Sequence, residues 1–212
     1  MDKFIDISVK VNSTLPVWPG SPGLAVTKLM DMKAGAEANV SHIAMEAHTG
    51  THIDAPLHFI QDGKTTNEIP LDQLIGDCWV LHCPNIKIID QVFLQEAGIP
   101  KGVTKLLLKT DNSNIWNEAP QPFYEDFTAL SADGAQYLVD MGIELVGIDY
   151  LSIQRYHDTI DTHTILLHNN VVILETINLS QVEAGAYKLI CLPARIEGLE
   201  GCPVRAVLEK LD

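Results

Sequence analysis

The chain has 212 residues, 14 lysines and arginines against 28 acids, and a net charge of −14 with histidines neutral. That balance leaves little material for the basic face a nucleic-acid partner needs, so the partner expected is a small molecule. No stretch approaches the roughly 20 apolar residues of a membrane span, and Asp2, Lys3 and Asp6 interrupt the N-terminus where a signal peptide would be apolar, so no membrane partner and a cytoplasmic location are expected.

In chain order, the first expected element is a strand over Phe4–Val9. The stretch Pro16-Val17-Trp18-Pro19-Gly20 follows as a stiff loop. An indole held there can stack on an aryl ring, which makes Trp18 the candidate substrate contact; the plainer role is a loop anchor. A second strand is expected over His42–Ala47, where Ile43, Met45 and Ala47 alternate with His42, Ala44 and Glu46.

That strand runs into the most informative segment of the chain. His48-Thr49-Gly50-Thr51-His52-Ile53-Asp54-Ala55-Pro56-Leu57-His58 places three histidines and an aspartate within eleven residues. Groups this dense repel or desolvate one another unless a cation stabilises the arrangement. His48 and His52 have helical spacing, but Gly50, the β-branched Thr49 and Thr51, and Pro56 argue against a helix. A strand end and loop is expected instead. Gly50 allows a tight turn that aims both histidines at one point, and His52 and Asp54 share a face of an extended piece. A lone histidine is more often an ordinary polar residue than a ligand; this cluster is read as the first half of a hydrolytic metal site.

Further strands are expected over Cys78–Cys83, Thr104–Lys109, Leu145–Asp149, Val171–Leu174 and Leu189–Leu192. Helices are expected over Asp90–Ala97 and Ser131–Met141, capped by Asp90 and Ser131 and closed by Gly98 and Gly142. Strands alternating with short helices predict an α/β domain. Cys78, Cys83, Cys191 and Cys202 form no Cys-x-x-Cys pair, so reduced thiols are expected and a thiolate zinc site is not. Gly63-Lys64-Thr65 is not a P-loop, because the position five residues earlier holds His58 rather than glycine. No Gly-x-Ser-x-Gly elbow is present, which counts against a serine hydrolase. The second half of the metal site must come from later in the chain, where Asp149, His157, Asp158, Asp161, His163, His168 and Glu175 are all candidates.

The motif from His48 to His58 resembles the signature of the cyclase-like metal-dependent hydrolases, which include bacterial kynurenine formamidase (arylformamidase) and isatin hydrolase. Pro16 to Gly20, Glu68-Ile69-Pro70-Leu71 with Gly76, Gly147 to Ser152, His163, Glu175, Leu189 to Pro193 and Pro203 to Ala206 carry the likeness along nearly the whole chain. The resemblance implies a swivelling β/α/β-type fold in one domain over 1–212, with a central mixed sheet and assembly as a homodimer or larger. It implies a binuclear site: His48, His52 and Asp54 on one metal, with Asp54 bridging to a second held by His163 and Glu175. Zinc and manganese both suit such ligands, formamidase-like members being associated with the first and isatin-hydrolase-like members with the second. It leaves His42, His82, His157 and His168 as non-ligands and Asp149 as a supporting or structural residue.

The chemistry expected is hydrolysis of an amide C–N bond by metal-activated water, with His58 as general acid/base and N-formylkynurenine as the first-named substrate. The alternatives are a cyclic amide such as isatin, and a non-catalytic metal- or ligand-binding protein on the same fold. Two departures touch the pocket rather than the metal chemistry: Asp149-Tyr150-Leu151-Ser152 stands where kynurenine formamidases have an Asp-Thr-Pro-Ser-type segment, and Ser21 where they often have aspartate.

Overall fold

The metal motif forms the seam of a closed sheet. The computed structural model describes residues 3–117 and 122–211. Their strands are β1 (Phe4–Asp6), β2 (Ala25–Met30), β3 (Val40–Ala44), β4 (His52–Asp54), β5 (Ile75–Cys83), β6 (Ile88–Ile89), β7 (Lys105–Thr110), β8 (Ala129–Leu130), β9 (Leu145–Ile148), β10 (Val172–Glu175), β11 (Gly185–Pro193) and β12 (Gly201–Lys210). The α-helices are α1 (Leu71–Leu74), α2 (Gln91–Glu96), α3 (Ala132–Asp140) and α4 (Asp161–His168).

The main sheet runs β1-β12-β11-β5-β7-β9-β10-β4, and β4 also pairs with β12. Residues 201–203 of β12 lie against β4 and residues 207–209 of the same strand lie against β1. The ring is therefore closed through β4, with β1 appended to one edge. Strands β5, β7, β9 and β10 pair in parallel, and the other pairings are antiparallel, so the sheet is mixed. Parallel neighbours need crossovers, and α2, α3 and α4 supply them between successive strands.

Strand alternation splits the apolar residues into two cores. On β7, Leu106 and Leu108 face the helices while Leu107 faces the barrel interior. On β10, Ile173 faces the helices while Val172 and Leu174 face inward. Cys78 and Cys83, an odd number of residues apart on β5, divide in the same way. All four cysteines are free and buried.

Asp90 and Ser131 cap α2 and α3 as expected, accepting hydrogen bonds from the N–H of Phe93 and Gly134. Gly98 and Gly142 follow with positive φ. The strand expected over His42–Ala47 is instead β3, Val40–Ala44, and it pairs only with β2 in a separate hairpin. Every residue of that hairpin's strands is exposed, so the alternation marks no buried face. The strand begun at Phe4 stops at Asp6, and the expected Leu189–Leu192 is the middle of a nine-residue strand. Strand β12 and helix α4 are additions to the sequence reading. No helix among the described residues is long and apolar enough to cross a membrane.

Candidate metal centre

β4 is only three residues long, and all three are buried. Ile53 joins Leu174 in the barrel interior, which sends His52 and Asp54 to the opposite face. There His52 lies across from Glu175 and Asp54 across from Ile173. That face is covered by α4, which carries His163. His48 comes from the turn before β4. The turn needs glycine at position 50: its φ is 75°, and a Cβ there would lie 2.5 Å from Val11 Cγ2. Pro56 opens the 3-10 turn Pro56–His58, which returns His58 to the ring of His48 with 4.1 Å between centroids.

The proton positions follow from the partners. His52 Nδ1 is 2.8 Å from the Gly50 carbonyl oxygen. A carbonyl can only accept, so Nδ1 carries the hydrogen and Nε2 presents a lone pair. That lone pair faces two carboxylates, Asp54 Oδ1 at 3.4 Å and Glu175 Oε2 at 3.5 Å. His163 also faces the carboxylates, but with its Nε2 donating to Glu175 Oε1. Its Nδ1 is 3.3 Å from Gln154 Oε1, and its Nε2 is 3.3 Å from Glu175 Oε1 and 3.9 Å from Asp54 Oδ2. His48 Nδ1 is 2.8 Å from Asp54 Oδ1.

His163 is hydrogen-bonded to both Gln154 and Glu175, whereas the approaches of His48 and His52 to the Asp54 carboxylate are close without being aligned as hydrogen bonds. Both Asp54 oxygens and the Nε2 atoms of His48 and His52 are buried without a hydrogen-bond partner among the described residues. A buried polar atom left unpaired costs about 1–3 kcal/mol, more when charged. The two Asp54 oxygens with His52 Nε2 beside them fit a cation site: nitrogen and oxygen donors without sulfur suit zinc or manganese. Within the cluster, His48, Asp54 and His58 bring ligand atoms within 4.8 Å of one another, as do His52, Asp54 and Glu175. Asp54 belongs to both groups.

Charge follows the same geometry. Burial opposes ionisation of Asp54, but His48 beside it holds the carboxyl well below its usual range. Burial likewise opposes the charged form of His48, yet Asp54 raises its pKa to about 9. His58 goes the other way. Burial lowers its pKa, and His48 adds to that against the attraction of Asp54. The site thus holds a neutral imidazole next to its charged groups.

The Cyclase family model ("Putative cyclase") matches residues 5–155. The chain belongs to this family of cyclase-like metal-dependent hydrolases. Cyclase-like protein 3 of Arabidopsis thaliana is 37% identical to it over 216 residues, covering 98% of this chain and 80% of that protein. A potential metal-dependent hydrolase with cyclase activity superposes with a TM-score of 0.84 at 31% identity, covering 99% of both chains. An isatin hydrolase bound to the product analogue thioisatinate shares the fold, with a TM-score of 0.83 at 18% identity over 99% of this chain and 93% of its own.

In this family member the cluster opens into a cavity of 430 Å³ lined by Trp18, His58, Phe59, Gln154, Tyr156 and His163, among others. Trp18 is partly exposed and packs on Phe123 and Tyr156, with centroids 5.3 and 5.2 Å away. Phe59 stacks on His163 at 4.6 Å. Phe59, Gln154 and Tyr156 escaped the sequence reading, although Phe59 directly follows the motif. Asp149 is fully buried but sits outside the cluster, accepting from Thr110 N–H, Thr110 Oγ1 and Ser113 N–H. Burial pushes its pKa to about 6 against those donors. Its role here is to fasten the end of β7 to β9. His42, His82 and His168 are exposed, and His157 pairs with Glu125 at 3.1 Å.

Proposed function

We propose that the chain is a metal-dependent amidohydrolase of the arylformamidase type, converting N-formylkynurenine to kynurenine and formate. The observation that supports this reading is Asp54, a buried carboxylate without hydrogen bonds that lies in two groups of candidate ligands, one with His48 and His58 and one with His52 and Glu175; the division into ligand sets follows the family resemblance. His48, His52 and Asp54 would hold one divalent metal, and Asp54, His163 and Glu175 a second, as zinc or manganese. Bound there, the metals supply Lewis acidity and lower the pKa of water toward 7.

The protein's own groups do the rest. His58, neutral beside the carboxylates, takes a proton from the attacking water as the C–O bond forms. It then gives that proton to the leaving amine nitrogen as the C–N bond breaks. Trp18, Phe59 and Tyr156 offer an aryl ring three aromatic surfaces. Phe59 also holds the His163 ring in place by stacking.

The test is turnover of N-formylkynurenine by zinc- or manganese-loaded protein, followed as kynurenine release, with a chelator-treated control. Turnover that disappears with chelator supports the reading. Silence from protein shown to hold metal overturns the substrate assignment. The second reading, hydrolysis of a cyclic amide, is favoured by the shared fold of the isatin hydrolase and is separated by offering isatin in the same assay. A purely binding role is disfavoured by His58, which a passive site does not need.

Self-association belongs to the same proposal. The β2–β3 hairpin exposes Val26, Leu29, Met32 and Ile43, and a two-stranded hairpin is marginal without a packing partner. We infer that a second copy covers it. Sedimentation of the wild type against Val26→Lys/Ile43→Lys decides: a monomeric wild type overturns the inference.

A further inference from the structure

The ring of His48 is gripped by a segment about 150 residues away in sequence that the metal motif does not contain. Its Nδ1 faces Asp54, and its Nε2 lies 3.5 Å from Glu200 Oε1. A Cβ built on Gly201 would lie 2.5 Å from Cε1, 2.8 Å from Nε2 and 2.9 Å from Nδ1 of the same ring. Near-equal distances to Cε1 and both flanking nitrogens place that point over the ring face, not beyond its edge. Gly201 is not among the glycines with positive φ, so it is required for space and not for backbone conformation.

This segment is fixed to the motif from several directions. Gly201 is the register partner of Asp54 across β12 and β4. The Glu200 carbonyl accepts from Ala55 N–H at 2.8 Å, and the Leu199 carbonyl accepts from Thr66 N–H at 2.9 Å. The Glu200 backbone is therefore held against the ligand set by strand pairing and is not carried on a mobile loop.

We propose that Glu200 and Gly201 are positioning residues for His48. Gly201 leaves the room in which the imidazole lies flat. The Glu200 carboxylate, 3.5 Å from Nε2 and not aligned as a hydrogen bond, attracts positive charge at that nitrogen and so favours the tautomer with the hydrogen on Nε2 and the Nδ1 lone pair toward Asp54. His48 would accordingly bind through Nδ1 and His52 through Nε2. A ligating histidine whose other nitrogen faces a carboxylate is more basic and better oriented than one left facing apolar groups. The proposal rests on the metal reading above.

The test uses the full-length protein and Glu200→Ala, Glu200→Gln and Gly201→Ala. Zinc affinity is measured by chelator competition, the Co²⁺ absorption spectrum is recorded, and melting of the metal-free forms serves as the folding control. Glu200→Ala is expected to weaken binding roughly 10- to 100-fold and to alter the Co²⁺ bands. Glu200→Gln, whose amide oxygen can still face Nε2, should recover most of the affinity. Gly201→Ala should lose at least as much as Glu200→Ala; if it fails to fold, the two Glu200 variants carry the test. Wild-type affinity and spectrum in Glu200→Ala overturn the proposal. If the wild type itself binds no zinc, or His52→Ala binds as well as wild type, it is the metal reading that fails.

Discussion

His52 and Glu175 face each other across the β4–β10 pair with Nε2 3.5 Å from Oε2, and the His52 proton is on the far side of the ring, given to Gly50. Lone pair meets carboxylate in a buried place. Without a cation this pairing destabilises the fold; on the proposed reading, a bound cation would make it a ligand pair.

Metal should therefore stabilise the folded chain strongly. At a free metal concentration 1,000 times Kd, linkage contributes about 4 kcal/mol, or roughly 10 °C in Tm for a chain this size. Thermal melts with saturating zinc or manganese against a chelator measure it. Glu175→Gln and Asp54→Asn should abolish most of the difference. Identical melts with and without metal would count against the site.

The metal-free protein should lose stability in mild alkali. The His48 pKa is raised from 6.5 to about 9. A raised histidine stabilises fully below its unfolded value and loses that contribution as pH climbs through the folded one. The window is therefore about pH 6.5 to 9. The loss should be on the order of 2 kcal/mol, less than the full shift because the ring is partly exposed. Denaturant titrations of the chelated protein across that range test it, and His48→Gln should flatten the profile.

His58→Ala should bind metal as the wild type does and lose roughly 10²- to 10⁴-fold in kcat. Because burial lowers the His58 pKa, the base form persists below pH 6.5, and the acidic limb of kcat/KM should fall there. Full turnover in His58→Ala with metal retained assigns the proton transfer to another group.

Trp18→Ala should raise KM about 10-fold, the worth of one aromatic contact, with metal affinity unchanged. An unchanged KM would return Trp18 to the role of a loop anchor.

The metal motif was legible because its residues are adjacent in sequence and chemically extreme. Asp90 and Ser131 were legible as helix starts because each carries its own cap. Helix α4 was not, since Ile160 precedes it without a side-chain cap and two threonines lie in its first turns; the left-handed Asn170 after it was the available stop signal. Strand β12 alternates buried and more open positions from Cys202 to Leu208, but Pro203 and Arg205 obscured the pattern. Residue chemistry alone left seven candidates for the second half of the site, and the family resemblance chose His163 and Glu175. Glu200 and Gly201 gave no local signal, because their contact with His48 exists only once the barrel is closed.

That closure has a kinetic meaning. β4 is the three-residue link between β10 and β12, and it carries His52 and Asp54. On the proposed reading, a cation held by His52, Asp54 and Glu175 would act as a rivet across the seam where the ring would first part. Metal occupancy would then govern how often the barrel opens as well as the proposed hydrolysis. In the cell, losing the ion would expose the chain to proteases at the same moment that it stopped turning over substrate.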